Sequence, residues 1–171
     1  MNDNLAYELE FCDELIDGEI VLMSPRPATN HNQTAFNIAA LFKTFLKGKT
    51  CRVFPDGMDL YLTEKDRFVP DVMVICDRSK IKNDGIHGAP DLVVEVLSPS
   101  SIKRDRVYKK RIYEQCGVRE YWIVNPRNKT VLVDDFDKTK RRQEYSFGED
   151  VPVCIYEGFT LNIEKMLEET N

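Results

Sequence analysis

A chain of 171 residues, 42% hydrophobic and 31% charged, has the length and balance of one folded domain, which excludes a disordered or low-complexity protein. The net charge of −5 leaves nucleic-acid contact to local basic clusters, and two stand out: residues 103–111 (KRDRVYKKR) and 138–142 (KTKRR). No run is long and apolar enough to span a bilayer as a helix, and the acidic MNDNLAYELEFCDE lacks a signal-peptide pattern. Five scattered cysteines without a CxxC pair argue against a disulfide framework or a structural zinc site, so a reduced, cytoplasmic setting is expected. Cys76 and Cys154 lie in apolar runs and read as small buried hydrophobes.

In chain order, ELIDGEIVLM (14–23) predicts two short strands turning at Asp17-Gly18. Ser24-Pro25-Arg26-Pro27 breaks that pattern. Thr29 or Asn30 then caps a helix running to about Lys47, closed by Gly48, with Phe36, Ala39, Ala40, Phe42 and Leu46 as its apolar face. Three β-like runs follow, CRVFPDGMDLYL, FVPDVMVIC and DLVVEVLS, the last two separated by the turn-rich DRSKIKNDGIHGAP. Residues 101–115 predict a second helix, with Gly117 just past its end. EYWIV, TVLVDDF and QEYSF read as further strands, with a turn at Asn125-Pro126-Arg127-Asn128, and LNIEKMLEE as a short helix. There is no internal repeat or linker. The expectation is one α/β domain over residues 1–171, a mixed sheet flanked by helices.

The chemistry concentrates in two of these runs. If FVPDVMVIC and DLVVEVLS pair antiparallel about a centre between Asn83 and Asp84, Asp71 falls almost opposite Val96 and beside Glu95. Neighbouring strands lie roughly 5 Å apart, so the two carboxylates could share a divalent cation. Mg²⁺ suits such hard oxygen donors, with Mn²⁺ as a substitute and the Val96 carbonyl as a further ligand. Each acid lies in an apolar stretch, where a lone carboxylate is costly. Taken singly, either acid reads as reaching a sheet edge or pairing with an arginine; two acids that meet read as a metal site.

Pro70-Asp71 followed by Glu95 in an apolar strand resembles the PD-(D/E)XK nuclease superfamily. The ordered set ELIDGEIVLMSP, His31, VPDVMVI, DLVVEVLSPSS, Asp105, Lys109, Tyr113 and GVREYWIVNP resembles, more narrowly, the Uma-type family of restriction-endonuclease-like proteins. The likeness implies a restriction-endonuclease-like core with an extra N-terminal hairpin, metal-dependent hydrolysis of DNA phosphodiesters, and a homodimer. One position departs from the superfamily: the lysine of E-x-K falls on Leu97. Lys103, Lys109 and Lys110 are the alternatives. Asp105, Lys109 and Tyr113 are spaced to share one helix face, where Asp105–Lys109 could be a plain surface pair. The resemblance selects Lys109 as the third catalytic residue, beside Asp71 and Glu95.

Glu14, His31, Ser98, Asp105 and Tyr113 are the supporting candidates. For Glu14 and His31, an ordinary structural hydrogen bond is the competing role. Ser98 opens the turn into the second helix, where Ser100 or Ser101 would be the direct caps. His87 has no obvious partner, and Trp122 reads as a core or interface aromatic. Two further functions fit this sequence: a non-catalytic module for dimerisation or nucleic-acid binding, and a phosphodiesterase acting on small nucleotides. The absence of a GxxxxGK[ST] loop excludes a P-loop nucleoside triphosphatase.

Overall fold

The structure, a computed structural model, describes residues 13–22, 28–98, 104–139 and 141–168, and for 104–106 the backbone only. Strands β1 (Asp13–Ile16) and β2 (Glu19–Leu22) form the expected hairpin. Asp17 and Gly18 both take positive φ, 53° and 83°, as a two-residue turn of this hand requires. Helix α1 (Thr29–Phe45) follows, its buried apolar face made by Ala35, Ile38, Ala39 and Phe42 and continued by Leu46, the residue that caps its end. The predicted face was rotated: Phe36 is 66% exposed and Ala40 also faces solvent. Counting from Ile38 gives the i, i+4 ladder that packs, and Phe36 falls outside it.

Two predicted strands each prove to be two. CRVFPDGMDLYL divides into β3 (Arg52–Pro55) and β4 (Leu60–Thr63), and the next run into β5 (Asp66–Phe68) and β6 (Val72–Ile75). The breaks fall at Asp56-Gly57, where Gly57 has φ of 95°, and at Pro70, which has no N–H for a ladder. The halves belong to different sheets, so each of these two runs carries the chain from one sheet to the other.

Beyond a short β7 (Ile86–His87) come β8 (Leu92–Val96), a π-helical stretch Arg104–Lys109 and helix α2 (Lys110–Cys116). Gly117 ends that helix in the left-handed conformation, as expected. Strands β9 (Glu120–Asn125), β10 (Thr130–Asp135), β11 (Arg141–Ser146), β12 (Val151–Pro152) and β13 (Thr160–Leu161) and helix α3 (Ile163–Glu168) complete the chain.

The central sheet has the order β11-β10-β9-β8-β6-β3, antiparallel except for β8–β9. A second sheet has the order β2-β1-β5-β4-β7. Val72, Val74, Val94, Val96 and Trp122 pack on α1 from one face of the central sheet. Met73, Val93, Tyr121 and Ile123 on the other face pack against α2 and against Leu60, Phe68 and Ile86 of the second sheet. The result is a layered, mixed α/β architecture.

Three expectations change. Val72 pairs with Val94 and Met73 with Val93, so Asp71 stands opposite Glu95 rather than Val96. The connecting loop has structure of its own, a turn at Arg78–Lys80 and β7, which moves the register by one residue. Cys51 and Cys76 form a disulfide, continuing the Arg52–Ile75 register of β3 and β6. Linear spacing does not reveal such a pair, because opposition across two strands joins residues 25 apart. Cys76 is therefore not a free buried hydrophobe, and the cysteine argument for a reduced setting falls. Finally, His87 has partners: Asp84 at 3.1 Å and the stacked ring of Tyr61. No helix among the described residues is long and apolar enough to cross a membrane.

Candidate active site

The two chain crossings, the end of β8, the start of α1 and the π–α2 junction meet at one edge of the interface between the sheets. Side chains alternate along a strand. Asp71 and Glu95 therefore share the face of Met73 and Val93, which looks toward α2. Both acids are buried. One Asp71 oxygen, Oδ2, accepts the Val96 N–H at 2.6 Å and lies 3.5 Å from Nε2 of His31, in the first turns of α1.

Glu95 is held from the helix side. Its Oε1 accepts from Nζ of Lys109 at 2.9 Å and from the Tyr113 hydroxyl at 2.7 Å. Lys109 ends the π-helical stretch and Tyr113 lies one turn on. The widened turn sets the Lys109 ammonium between sheets, where it also meets Oε1 of Glu14 at 2.7 Å. Glu14 comes from β1 and in turn accepts the Val69 N–H, beside the second crossing. Glu14, Glu95 and Lys109 are all shielded from solvent, so their mutual pairing is what makes the burial tolerable.

The electrostatics follow from these neighbours. Burial acts to lower the basicity of His31, but the hydrogen bond and charge of Asp71, helped by the Val96 carbonyl, leave it raised above 6.5. Burial and the Glu95 carboxylate push the Tyr113 phenol well up, so it serves as a donor. Asp56, in the first crossing, is also raised, through partial desolvation of its carboxylate by the surrounding chain and the nearby Asp71 charge, although the residue as a whole is exposed.

Of the nine residues expected at the site, the fold brings together Glu14, His31, Asp71, Glu95, Val96, Lys109 and Tyr113. The Asp105 side chain lies outside the described residues, as do Ser100, Ser101 and Lys103. Ser98 is half-buried at the end of the β8 segment and takes part in interactions of its own. Lys110 is not the alternative lysine. It turns to Asp134, at 3.5 Å, and to the ring of Phe136. Trp122 is a core residue whose indole N–H donates to Glu120. Sequence reasoning missed Asp56. The signal was present, since Pro55-Asp56 repeats Pro70-Asp71, and the β3–β6 register, which pairs Pro55 with Val72, brings the two aspartates opposite each other when carried one residue on.

Among the described residues no three His, Cys, Asp or Glu side chains converge on a ready-made metal cage. Mg²⁺ does not need one, because it keeps several waters and binds through one or two carboxylates. The opposed Asp71 and Glu95 carboxylates and the Val96 carbonyl are hard oxygen donors of that kind. Nδ1 of His31 is buried without a hydrogen-bond partner among the described residues, so the polar demand of this corner exceeds what they supply. The donor set fits a hydrated Mg²⁺ or Mn²⁺ ion.

A family model described as "Putative restriction endonuclease", Uma2, matches residues 7–164. The uncharacterized protein slr1290 of Synechocystis sp. is 34% identical over 127 residues, covering 73% of this chain and 65% of its own length. Among solved structures, the crystal structure of a "putative nuclease belonging to DUF820" from Anabaena variabilis superposes with a TM-score of 0.76. It shares 21% identity, over 93% of this chain and 91% of that one, which is a likeness of fold.

Proposed function

Because the chain belongs to the Uma2 family of restriction-endonuclease-like proteins, we propose that it is a metal-dependent endonuclease that hydrolyses DNA phosphodiesters at the Asp71–Glu95 site. The observation that carries this reading is the opposition of Asp71 and Glu95 in adjacent strands, with Lys109 on Glu95. Asp71, Glu95 and the Val96 carbonyl would hold Mg²⁺. The chemistry supplied by the bound ion is a more acidic water and neutralised phosphate charge. The chain's own residues do the rest. Val96 N–H and His31 orient Asp71, and Tyr113 and Lys109 orient Glu95. The Lys109 ammonium, in the place that Leu97 cannot fill, offsets the carboxylate charge next to the scissile phosphate. Duplex DNA is the proposed substrate, and a homodimer would present two such sites.

The test is cleavage of supercoiled plasmid by purified protein with Mg²⁺, Mn²⁺ or chelator. Cleavage should require the metal and disappear in Asp71→Ala, while the circular dichroism spectrum stays that of the wild type. Equal cleavage by both proteins would discard the mechanism.

One observation favours a second reading. Lys109 is tied to two carboxylates at once, an arrangement that also suits a purely structural role in a non-catalytic nucleic-acid-binding module. Failure of the wild type to take up millimolar Mg²⁺ or Mn²⁺ would select it.

A further inference from the structure

Resting on the cation site proposed above, we infer that Asp56 is a positioning residue of that site, raising its affinity for a divalent cation through charge rather than by direct ligation. The β3–β6 register runs Val53–Val74, Phe54–Met73, Pro55–Val72. One residue further, Asp56 stands opposite Asp71. The β6–β8 register carried one residue on places Asp71 opposite Glu95. The three acids thus form a row across three neighbouring strands. They also share a face, since Phe54 packs in the same layer as Met73 and Val93, two residues before or after each acid.

The members of the row differ in surroundings. Glu95 is locked by Lys109 and Tyr113, and Asp71 is held by Val96 and His31. Asp56 lies at the solvent end, exposed, and stays close enough to Asp71, His31 and Lys109 for each to act on its charge. It is therefore the solvent-facing acid of the row, while Asp71 and Glu95 are buried. The lack of any three-carboxylate cage among the described residues argues that it does not ligate directly. An ion between Asp71 and Glu95 would lie one and a half strand spacings from Asp56, roughly 7 Å. At that range a unit charge in water-like surroundings changes divalent-ion affinity by about five- to tenfold.

The experiment is a titration with Mn²⁺ alone, free ion read by electron paramagnetic resonance, on the full chain. Asp56→Asn should bind Mn²⁺ about five- to tenfold more weakly than wild type at low salt, and the gap should narrow in about 0.5 M KCl, as charge effects do. Asp56→Glu should restore the affinity, and Glu157→Gln, an exposed acid on the β12–β13 connection, should match wild type. Asp71→Asn should lose binding. If Asp56→Asn binds as wild type while Asp71→Asn does not bind, Asp56 has no such role and the cation site stands. If Asp56→Asn loses binding as fully as Asp71→Asn, it is a direct ligand and the charge-only role is wrong. If Asp56→Glu fails to restore affinity, the effect is structural and the inference falls. If the wild type binds no Mn²⁺, the site and the inference fall together.

Discussion

Lys109 shows how a single side chain can hold a site together. Its ammonium is buried between Glu14 and Glu95, so removing it leaves two carboxylates without their cation. Lys109→Met should destabilise the protein by about 3–5 kcal/mol, read from urea unfolding. A loss below about 1 kcal/mol would mean that the pair is solvated. His31 gives a pH prediction. Its folded value is raised, so the stability it contributes is complete below pH ~6.5 and fades as pH rises through the folded value. His31→Gln should therefore cost more at pH 5.5 than at pH 8. By NMR its ring should titrate above 6.5, and in Asp71→Asn below it, because burial then acts without the opposing charge. Most of these partners were legible in the sequence as a resemblance. Asp56 was not singled out, because an acid before glycine reads as an ordinary turn until strand register shows what it faces.

Among the elements, the least legible feature was where strands end. The hairpin, α1, β8 to β11 and α3 were readable from alternation, turn residues and helical spacing. The two split runs were not, because hydrophobic alternation continues through a sheet crossing even though the hydrogen bonds stop. Gly85 guards one of these crossings. Its φ is 148°, and an added Cβ would lie 2.5 Å from the Asp59 carbonyl oxygen, in the β3–β4 link. Gly85→Ala should cost about 2–3 kcal/mol, measured as a lower midpoint in denaturant. Glu120, on β9, plays the comparable part on the far side. Its buried carboxylate accepts from the Trp122 indole and from the N–H groups of Cys154 and Ile155, fastening the segment that follows β12. Glu120→Ala would strand three donors, and a loss of about 3 kcal/mol should appear in the same measurement.

In the molecule as a whole, the site sits where two sheets exchange strands, and the β3–β4 and β5–β6 passages each carry a Pro-Asp dipeptide. The central sheet gives Asp71 and Glu95 a rigid base, while the second sheet sends Glu14 across to Lys109. Composition and charge pointed to one domain but not to this division, since nothing in local sequence tells which sheet a strand joins. The hidden disulfide had the same cause, a contact made only by tertiary pairing.

That covalent link also acts as a ruler. Strand β3 lies at the margin of the central sheet, with one neighbour only, and such a strand is the easiest to slide. Bonding Cys51 to Cys76 at one end fixes how many residues separate the clasp from the far tip, and so sets Asp56 against Asp71. A slip of a single residue would turn that aspartate to the opposite side, so breaking the clasp with a thiol is a way to disturb the acids five strand positions away without touching them.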